Sequence, residues 1–268
     1  MHSGGLLDSL PLWSLLPLTI LIAWVSGEIG RRIARYRRES SEREVEGPVG
    51  AMVGAMLGLL AFMLAFTFGL AASRFEDRRQ AVLLEANAIG TTYLRAEMLP
   101  QPASGETRDL LRQYVDIRLE AANAGNLSEA VAGSEELHNR LWSQAVAAAQ
   151  KNPSPITALF VQSLNEVIDL HAKRIMVAIR SRVPGAIWLT LYLLAGISMA
   201  AMGYHERLTS SRRTPALAAL VVGFSLVLFL IMDLDRPTEG MLRVSQQSMI
   251  DLRNSMTDTP TDKGAGSH

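Results

Sequence analysis

"GPVGAMVGAMLGLLAFMLAFTFGLAAS", residues Gly47 to Ser73, contains no charged side chain. A helix needs roughly 20 consecutive apolar residues to cross the hydrocarbon core of a bilayer. One charged side chain at the centre of the bilayer costs at least about 2.5–3.5 kcal/mol. A stretch this long and this free of charge therefore predicts a membrane-spanning helix.

Three further stretches have the same character, although 19% of the residues in the chain are charged and the formal net charge is +0. The first follows a leader without Lys or Arg and has no small-residue cleavage pattern after it, which favours a retained helix over a signal peptide. We therefore predict an integral membrane protein with four spans, for which the lipid bilayer is a partner and nucleic acid is not. The three stretches are Ser9–Gly27, Val183–Tyr204 and Thr214–Met232.

Arginines are concentrated in the two short connections between spans, Glu28–Glu46 and His205–Arg213. Short loops rich in Lys and Arg remain in the cytoplasm. We therefore predict a bacterial inner-membrane protein with both termini and the long middle region on the periplasmic side. The arginines are Arg31, Arg32, Arg35, Arg37, Arg38 and Arg43 in the first connection, and Arg207, Arg212 and Arg213 in the second.

The middle region shows helical periodicity and no strand-like alternation. The second span continues without proline to Pro100, two helices follow before the sequence KNPSP, and Pro155 opens a long helix that runs to Pro184. The predicted fold is all-α, with a helical extramembrane domain between spans two and three. The predicted parts are spans one and two (1–73), the helical domain (74–182), spans three and four (183–234), and a C-terminal segment with a polar, disordered tail (235–268).

Small residues recur every four positions in the second span, at Gly50, Gly54 and Gly58. This spacing lets helix backbones approach closely in lipid. Packing against another span of the same chain is one interpretation, and the span alone favours it. The other is a helix repeated around a symmetry axis in a homo-oligomer, with Phe62 and Phe66 forming a hydrophobic constriction that gates a pore.

The fourth span ends abruptly in "LFLIMDLDRPTEG", residues Leu228–Gly240. In the predicted topology the ends of spans two and four lie on the same membrane face. We therefore predict an ion-pair collar at that level, with an ion-conducting vestibule as the alternative role. The residues are Arg74, Arg78, Asp233, Asp235 and Arg236.

Glu85 and Asn87 interrupt an apolar stretch of the helix that follows the second span. One interpretation is a buried hydrogen-bonded pair that fixes helix register, and the other is a ring of carboxylates in a pore vestibule that attracts inorganic ions. Histidines such as His171 have no metal-ligand spacing and fit a solvated helix face better. No catalytic motif is present, so we expect no catalytic residue, no metal and no cofactor, and the protein is not predicted to be an enzyme.

Two motifs carry a resemblance to a known family. "RRQAVLLEANAIGTTYLRAEMLP" after the glycine-rich span and "DLDRPTEGMLRVS" after the last span resemble the bacterial bestrophin-like membrane family, over about Gly47 to Asp251. Bestrophins are pentameric anion channels whose second span lines the pore, so the resemblance implies pore positions at Gly54, Gly58, Phe62 and Phe66. It also implies a cytoplasmic helical insertion, whereas the arginine pattern predicts a periplasmic one.

The leading hypothesis from the sequence is a homo-oligomeric membrane protein with an ion-conducting pore along the second span. The alternative is a non-conducting membrane sensor or scaffold whose helical domain binds a partner.

Overall fold

The computed structural model describes most of the chain and consists of helices joined by short connections. The described residues are 11–39, 46–124, 127–180, 182–209, 215–236 and 240–257, and no strand occurs among them. In chain order the helices are α1 (Leu12–Glu39), α2 (Glu46–Ala96), α3 (Ala103–Ala124), α4 (Leu127–Lys151), α5 (Pro155–Arg180), α6 (Gly185–Thr209), α7 (Pro215–Asp235) and α8 (Gln247–Thr257).

Four of these helices are long and apolar enough to cross a membrane within the described ranges. They are α1, α2, α6 and α7, each of which overlaps one of the four stretches identified in the sequence. The prediction of an all-α membrane protein with four spans is therefore confirmed.

Helix α2 is much longer than a bilayer requires. Its 51 residues extend over about 76 Å at 1.5 Å per residue, whereas the hydrocarbon core is about 30 Å thick. The first charged residues after the apolar part are Arg74, Glu76 and Asp77. The part of α2 that follows them, Glu85 included, therefore belongs to the extramembrane region.

The chain divides into two compact units. The first comprises residues up to Phe75 together with Arg182–Arg243, and the second comprises Glu76–Ser181 together with the residues from Val244 onward. The first unit contains the membrane helices, and its core includes Leu60 and Leu64 of α2, Leu191 and Met199 of α6 and Ile231 of α7. The second unit has a separate core that includes Ile89, Tyr114, Leu141, Phe160 and Met249.

Local sequence accounts for the start of α5. Ser154 precedes Pro155, and the Ser154 hydroxyl accepts a hydrogen bond from the Thr157 amide over 3.2 Å. This side-chain cap satisfies an amide that has no partner within the helix, while proline suits the first helical position because its missing N–H would be unpaired there.

The C-terminal segment, for which a polar, disordered tail was predicted, contains a helix. Residues Gln247–Thr257 form α8, and Met249 and Met256 are buried in the second unit. The two methionines lie seven residues apart on one helix face, which gives this otherwise polar segment an apolar side that packs. The remaining part of the predicted tail, residues 258–268, lies outside the described residues.

Helices α1 and α6 cross in unusually close contact within the first unit. A Cβ atom added to Gly30 would lie 1.8 Å from the backbone oxygen of Ala200, and one added to Gly203 would lie 2.0 Å from that of Gly27. Beside this crossing Arg31 and Glu206 form a buried ion pair. Gly30 and Gly203, which the sequence analysis did not single out, therefore allow α1 and α6 to approach this closely.

Candidate functional site

The membrane part of α2 presents most of its surface away from its own subunit. The residues that it buries form a narrow seam: Val53, Leu60, Leu64, Thr67 and Ala71. At 100° per residue, Phe62 lies about 170° around the helix from the middle of this seam, and Phe66 about 130°. Their side chains are 66% and 56% exposed.

The glycines of α2 do not all behave alike. A Cβ atom on Gly50 would lie 3.1 Å from the His205 ring, whereas one on Gly54 or Gly58 would meet nothing within 4 Å. Packing against another span of the same chain, which the sequence favoured, is therefore wrong for Gly54 and Gly58. The reason is that the seam of α2 that contacts the protomer lies on another side of the helix. We call the surface formed by Gly54, Gly58, Phe62 and Phe66 the open face of α2.

The two aspartates at the end of α7 accept hydrogen bonds from backbone amides. Asp233 accepts hydrogen bonds from the amides of Met241 and Leu242 over 2.8 and 3.1 Å. Asp235 accepts one from the amide of Val183 over 2.8 Å. Gly240 has a φ of +121°, and a Cβ atom there would lie 2.0 Å from Oδ1 of Asp233. The carboxylates thus fix the chain directly after α7 and directly before α6.

The predicted collar stays a prediction. Asp233, Asp235, Arg78 and Arg236 are all buried. Arg74 is partly buried, and its Nη1 makes no hydrogen bond within the described part of the chain.

Glu85 lies in a buried polar cluster in the second unit, and its side chain is 0% exposed. The Tyr114 hydroxyl donates a hydrogen bond to Oε1 of Glu85 over 2.6 Å, and Arg174 forms a short ion pair with Oε2. Nε of Arg118 lies 3.4 Å from Oε1, and Nδ1 of His171 lies 3.7 Å from it. These contacts join α2, α3 and α5.

The placement of Glu85 in an open vestibule is therefore wrong. The buried interpretation holds, although not with Asn87, which is exposed. His171 is also buried, contrary to the expected solvated face. Its partners come from other helices, which the pattern of one helix does not reveal.

Two imidazoles complete the cluster. The rings of His138 and His171 pack edge to face with centroids 4.8 Å apart, and the His138 ring lies 4.8 Å from that of Tyr114. Nδ1 of His171 lies 2.9 Å from the Tyr114 oxygen. Because the single hydroxyl proton of Tyr114 goes to Glu85, Nδ1 of His171 is the donor in this contact.

Charge determines which groups in the cluster are ionised. Burial alone would raise the pKa of Glu85, but His171, Arg174, Arg118 and Tyr114 outweigh burial and hold it well below its usual range. Burial and the neighbouring carboxylate raise the pKa of Tyr114 well above its ordinary value. Glu85 is therefore a carboxylate and Tyr114 a neutral donor throughout the physiological range.

His138 is expected to make the stability of the protein sensitive to acid. Burial, His171 and Arg118 lower the pKa of His138 to about 4, against the opposing effect of Glu85. Between the ordinary value of 6.5 and about 4 the unfolded chain binds a proton that the folded chain does not, so stability falls as the pH falls through this window. Thermal unfolding of the wild type and of His138→Gln at a series of pH values measures this. The variant should lose less stability between pH 6.5 and 4, and equal slopes would contradict the assignment.

The described ranges contain no group of three or more side chains that could hold a metal ion. An open groove of about 450 Å³ between α3 and α4 is lined by Glu106, Asp109, Leu110, Gln113, Arg140, Ser143 and Gln144. Glu106 accepts a hydrogen bond from Gln144 there. The sequence reading identified neither this groove nor the cluster partners Tyr114, Arg118 and Arg174.

Comparison with known proteins gives a consistent result for family and fold. A model of the bestrophin-like domain matches residues 17–249. A crystal structure of a bacterial bestrophin homologue from Klebsiella pneumoniae, in a single-substitution variant, is 14% identical with a TM-score of 0.68 and covers 94% of this chain and 99% of its own. A second structure of a bacterial bestrophin homologue from that organism has a TM-score of 0.61 at 14% identity, covering 91% and 96%.

A variant described only as a membrane protein has a TM-score of 0.64 at 15% identity and covers 94% of this chain and 99% of its own. At these identities the likeness concerns the fold. No curated protein matches the chain.

Proposed function

This chain belongs to the bestrophin-like family, and from that premise we propose that it forms a homo-oligomeric ion channel whose pore runs along α2. The observation that carries the proposal is the open face of α2. Next to Gly54 and Gly58 is space that no described atom of the same subunit fills, and the two phenylalanines point away from the protomer. In lipid, small residues at this spacing favour contact with another helix.

Repetition of the subunit around an axis would give these residues distinct roles. The glycine positions allow neighbouring copies of α2 to approach, and Phe62 and Phe66 form apolar rings one helical turn apart. Such rings resist the passage of ions because a narrow apolar constriction loses its water. Within the subunit, the other membrane helices pack against the seam of α2 and leave its open face uncovered.

Replacing Phe62 or Phe66 with alanine is expected to increase ion flux severalfold, because a wider and less apolar constriction stays hydrated. The measurement is salt-gradient-driven flux of chloride and of potassium, assayed separately, through liposomes containing the purified protein. Phe224→Ala on α7, a partly buried core position, is the matched control and should leave flux at the wild-type level.

Two results would contradict the pore. One is the absence of flux of either ion from folded, oligomeric wild type and from both variants. The other is an equal increase in the control, which would indicate general leakage. In either case the alternative function, a non-conducting membrane sensor or scaffold, becomes the better explanation of the protein. Exposed apolar side chains in the helical unit, Leu94 at 63% and Met98 at 62%, favour that second candidate because they suit a partner surface.

We further propose that the protein lies in the bacterial inner membrane with the helical unit on the periplasmic side, from the arginines of the short connections. The chain has no cysteine, so single cysteines report accessibility without background. Ser143 in α4 and Thr209 at the end of α6 are exposed. A membrane-impermeant thiol reagent applied to intact spheroplasts should label Ser143→Cys and spare Thr209→Cys. The reverse pattern would place the helical unit in the cytoplasm.

A further inference from the structure

The polar cluster around Glu85 carries more positive than negative charge. Two guanidinium groups, Arg118 and Arg174, face a single carboxylate. The pKa of His138 is lowered to about 4, so this histidine adds no charge near neutral pH. Within this cluster, the two guanidiniums and the single carboxylate thus leave one positive charge without a counterion among the described side chains.

The excess charge is concentrated on Arg118. Arg174 has a short ion pair with Glu85 and donates a second hydrogen bond to Gln246 over 2.9 Å. Arg118 is 4% exposed, and Glu85, at 3.4 Å from Nε, is the acidic side chain with which it pairs among the described residues. Its Nε and Nη1 are buried and make no hydrogen bond within the described part of the chain.

A second buried polar atom without a partner lies in the same cluster. Nε2 of His138 makes no hydrogen bond to the described residues, and it is a donor when the neutral imidazole carries its proton on that nitrogen. Leaving a buried donor unpaired is costly, more so for a charged group, so such groups normally contact a bound water or ion. Arg118 is close enough to His138 to lower its pKa.

From these observations we propose that Arg118 and His138 bind a small monovalent anion of halide size inside the helical unit. A cation is disfavoured because the surrounding groups are already positive. One negative charge neutralises the cluster and accepts hydrogen bonds from Nη1 of Arg118 and Nε2 of His138. The close packing of the aromatic rings limits the ligand to a small ion. The site lies outside the membrane part of α2 and does not depend on whether the protein conducts.

The first test is thermal unfolding of the full-length protein in detergent, in sodium chloride or sodium bromide compared with sodium gluconate at equal ionic strength. The wild type should unfold several degrees higher in either halide. Arg118→Met and His138→Phe should lose that increase, and Arg140→Met, which changes an exposed arginine of α4, should keep it.

A second measurement covers the case in which a variant fails to fold. Crystals of the wild type grown with bromide should show anomalous scattering beside Arg118 and His138. Absence of the anomalous signal, or a halide effect that is missing in the wild type or unchanged in both site variants, would overturn the proposal and leave water as the occupant. These outcomes are separate from ion flux, so the proposed channel can fail while the anion site holds.

Discussion

Replacing Glu85 with glutamine is expected to destabilise the helical unit by about 3–5 kcal/mol, since breaking a buried ion pair by removing one partner leaves an uncompensated buried charge. Here the effect falls on two guanidiniums at once, because Arg174 and Arg118 both form ion pairs with this carboxylate. Glutamine keeps the shape of the side chain, so the change reports charge rather than packing. Denaturant unfolding followed by circular dichroism in detergent measures it.

Glu76→Gln is the matched control on the same helix. Glu76 pairs with Arg79 at the surface, three residues along α2, with side chains 42% and 63% exposed. Exposed pairs of this kind contribute little to stability because water and salt screen them. Similar losses of stability for Glu85→Gln and Glu76→Gln would show that the buried ion pairs of Glu85 contribute no more than an exposed pair does.

A double variant tests whether the stability lost in Glu85→Gln comes from the charge of Arg118 that the substitution leaves unpaired. Adding Arg118→Met to Glu85→Gln removes the cation that the first change leaves unpaired. The double variant should therefore recover part of the stability lost by Glu85→Gln alone. A fully additive loss would indicate that Arg118 and Glu85 do not interact.

Alanine at Gly203 or Gly30 is expected to have a comparably large effect on the membrane unit. At each position the added Cβ atom would lie within 2.0 Å of a backbone oxygen of the facing helix. A backbone atom cannot move aside as a flexible side chain can, so α1 and α6 must separate. Overpacking a well-packed core typically costs about 1–3 kcal/mol and occasionally more, and these contacts place the two variants at or above the upper end.

Gly223→Ala on α7 is the control, since a Cβ atom there meets nothing within 4 Å. The measurement is the fraction of monodisperse protein in size-exclusion chromatography after heating in detergent, together with the temperature of unfolding. Gly223→Ala should behave as the wild type, whereas Gly203→Ala and Gly30→Ala should unfold at a much lower temperature. Wild-type behaviour of Gly203→Ala and Gly30→Ala would mean that α1 and α6 do not approach each other this closely.

The Arg31–Glu206 ion pair gives this crossing a second constraint. Charged residues in membrane helices generally pair, because an isolated charge in that environment is costly. Arg31 therefore has a structural partner in addition to its place in the arginine-rich connection. The exposed arginines of that connection within the described residues, Arg32, Arg35 and Arg37, still carry the charge asymmetry on which the proposed orientation rests.

The sequence by itself determined the class of protein and the number of spans. Uncharged stretches long enough for a bilayer identify the four spans, and Pro155 identifies the start of α5. These features are local, since they depend on hydrophobic length and the restricted backbone of proline. Periodicity within one segment is enough to detect them.

Only the tertiary structure decided which glycines permit close packing and what Glu85 contacts. Gly54 and Gly58 have the more conspicuous spacing, yet Gly30 and Gly203 are the residues at which two backbones meet. Glu85 receives its hydrogen bond from Tyr114, 29 residues away, and its ion pair from Arg174, 89 residues away. The physical reason is that both features depend on how helices distant in sequence are rotated against one another, and the pattern of a single helix does not contain that rotation.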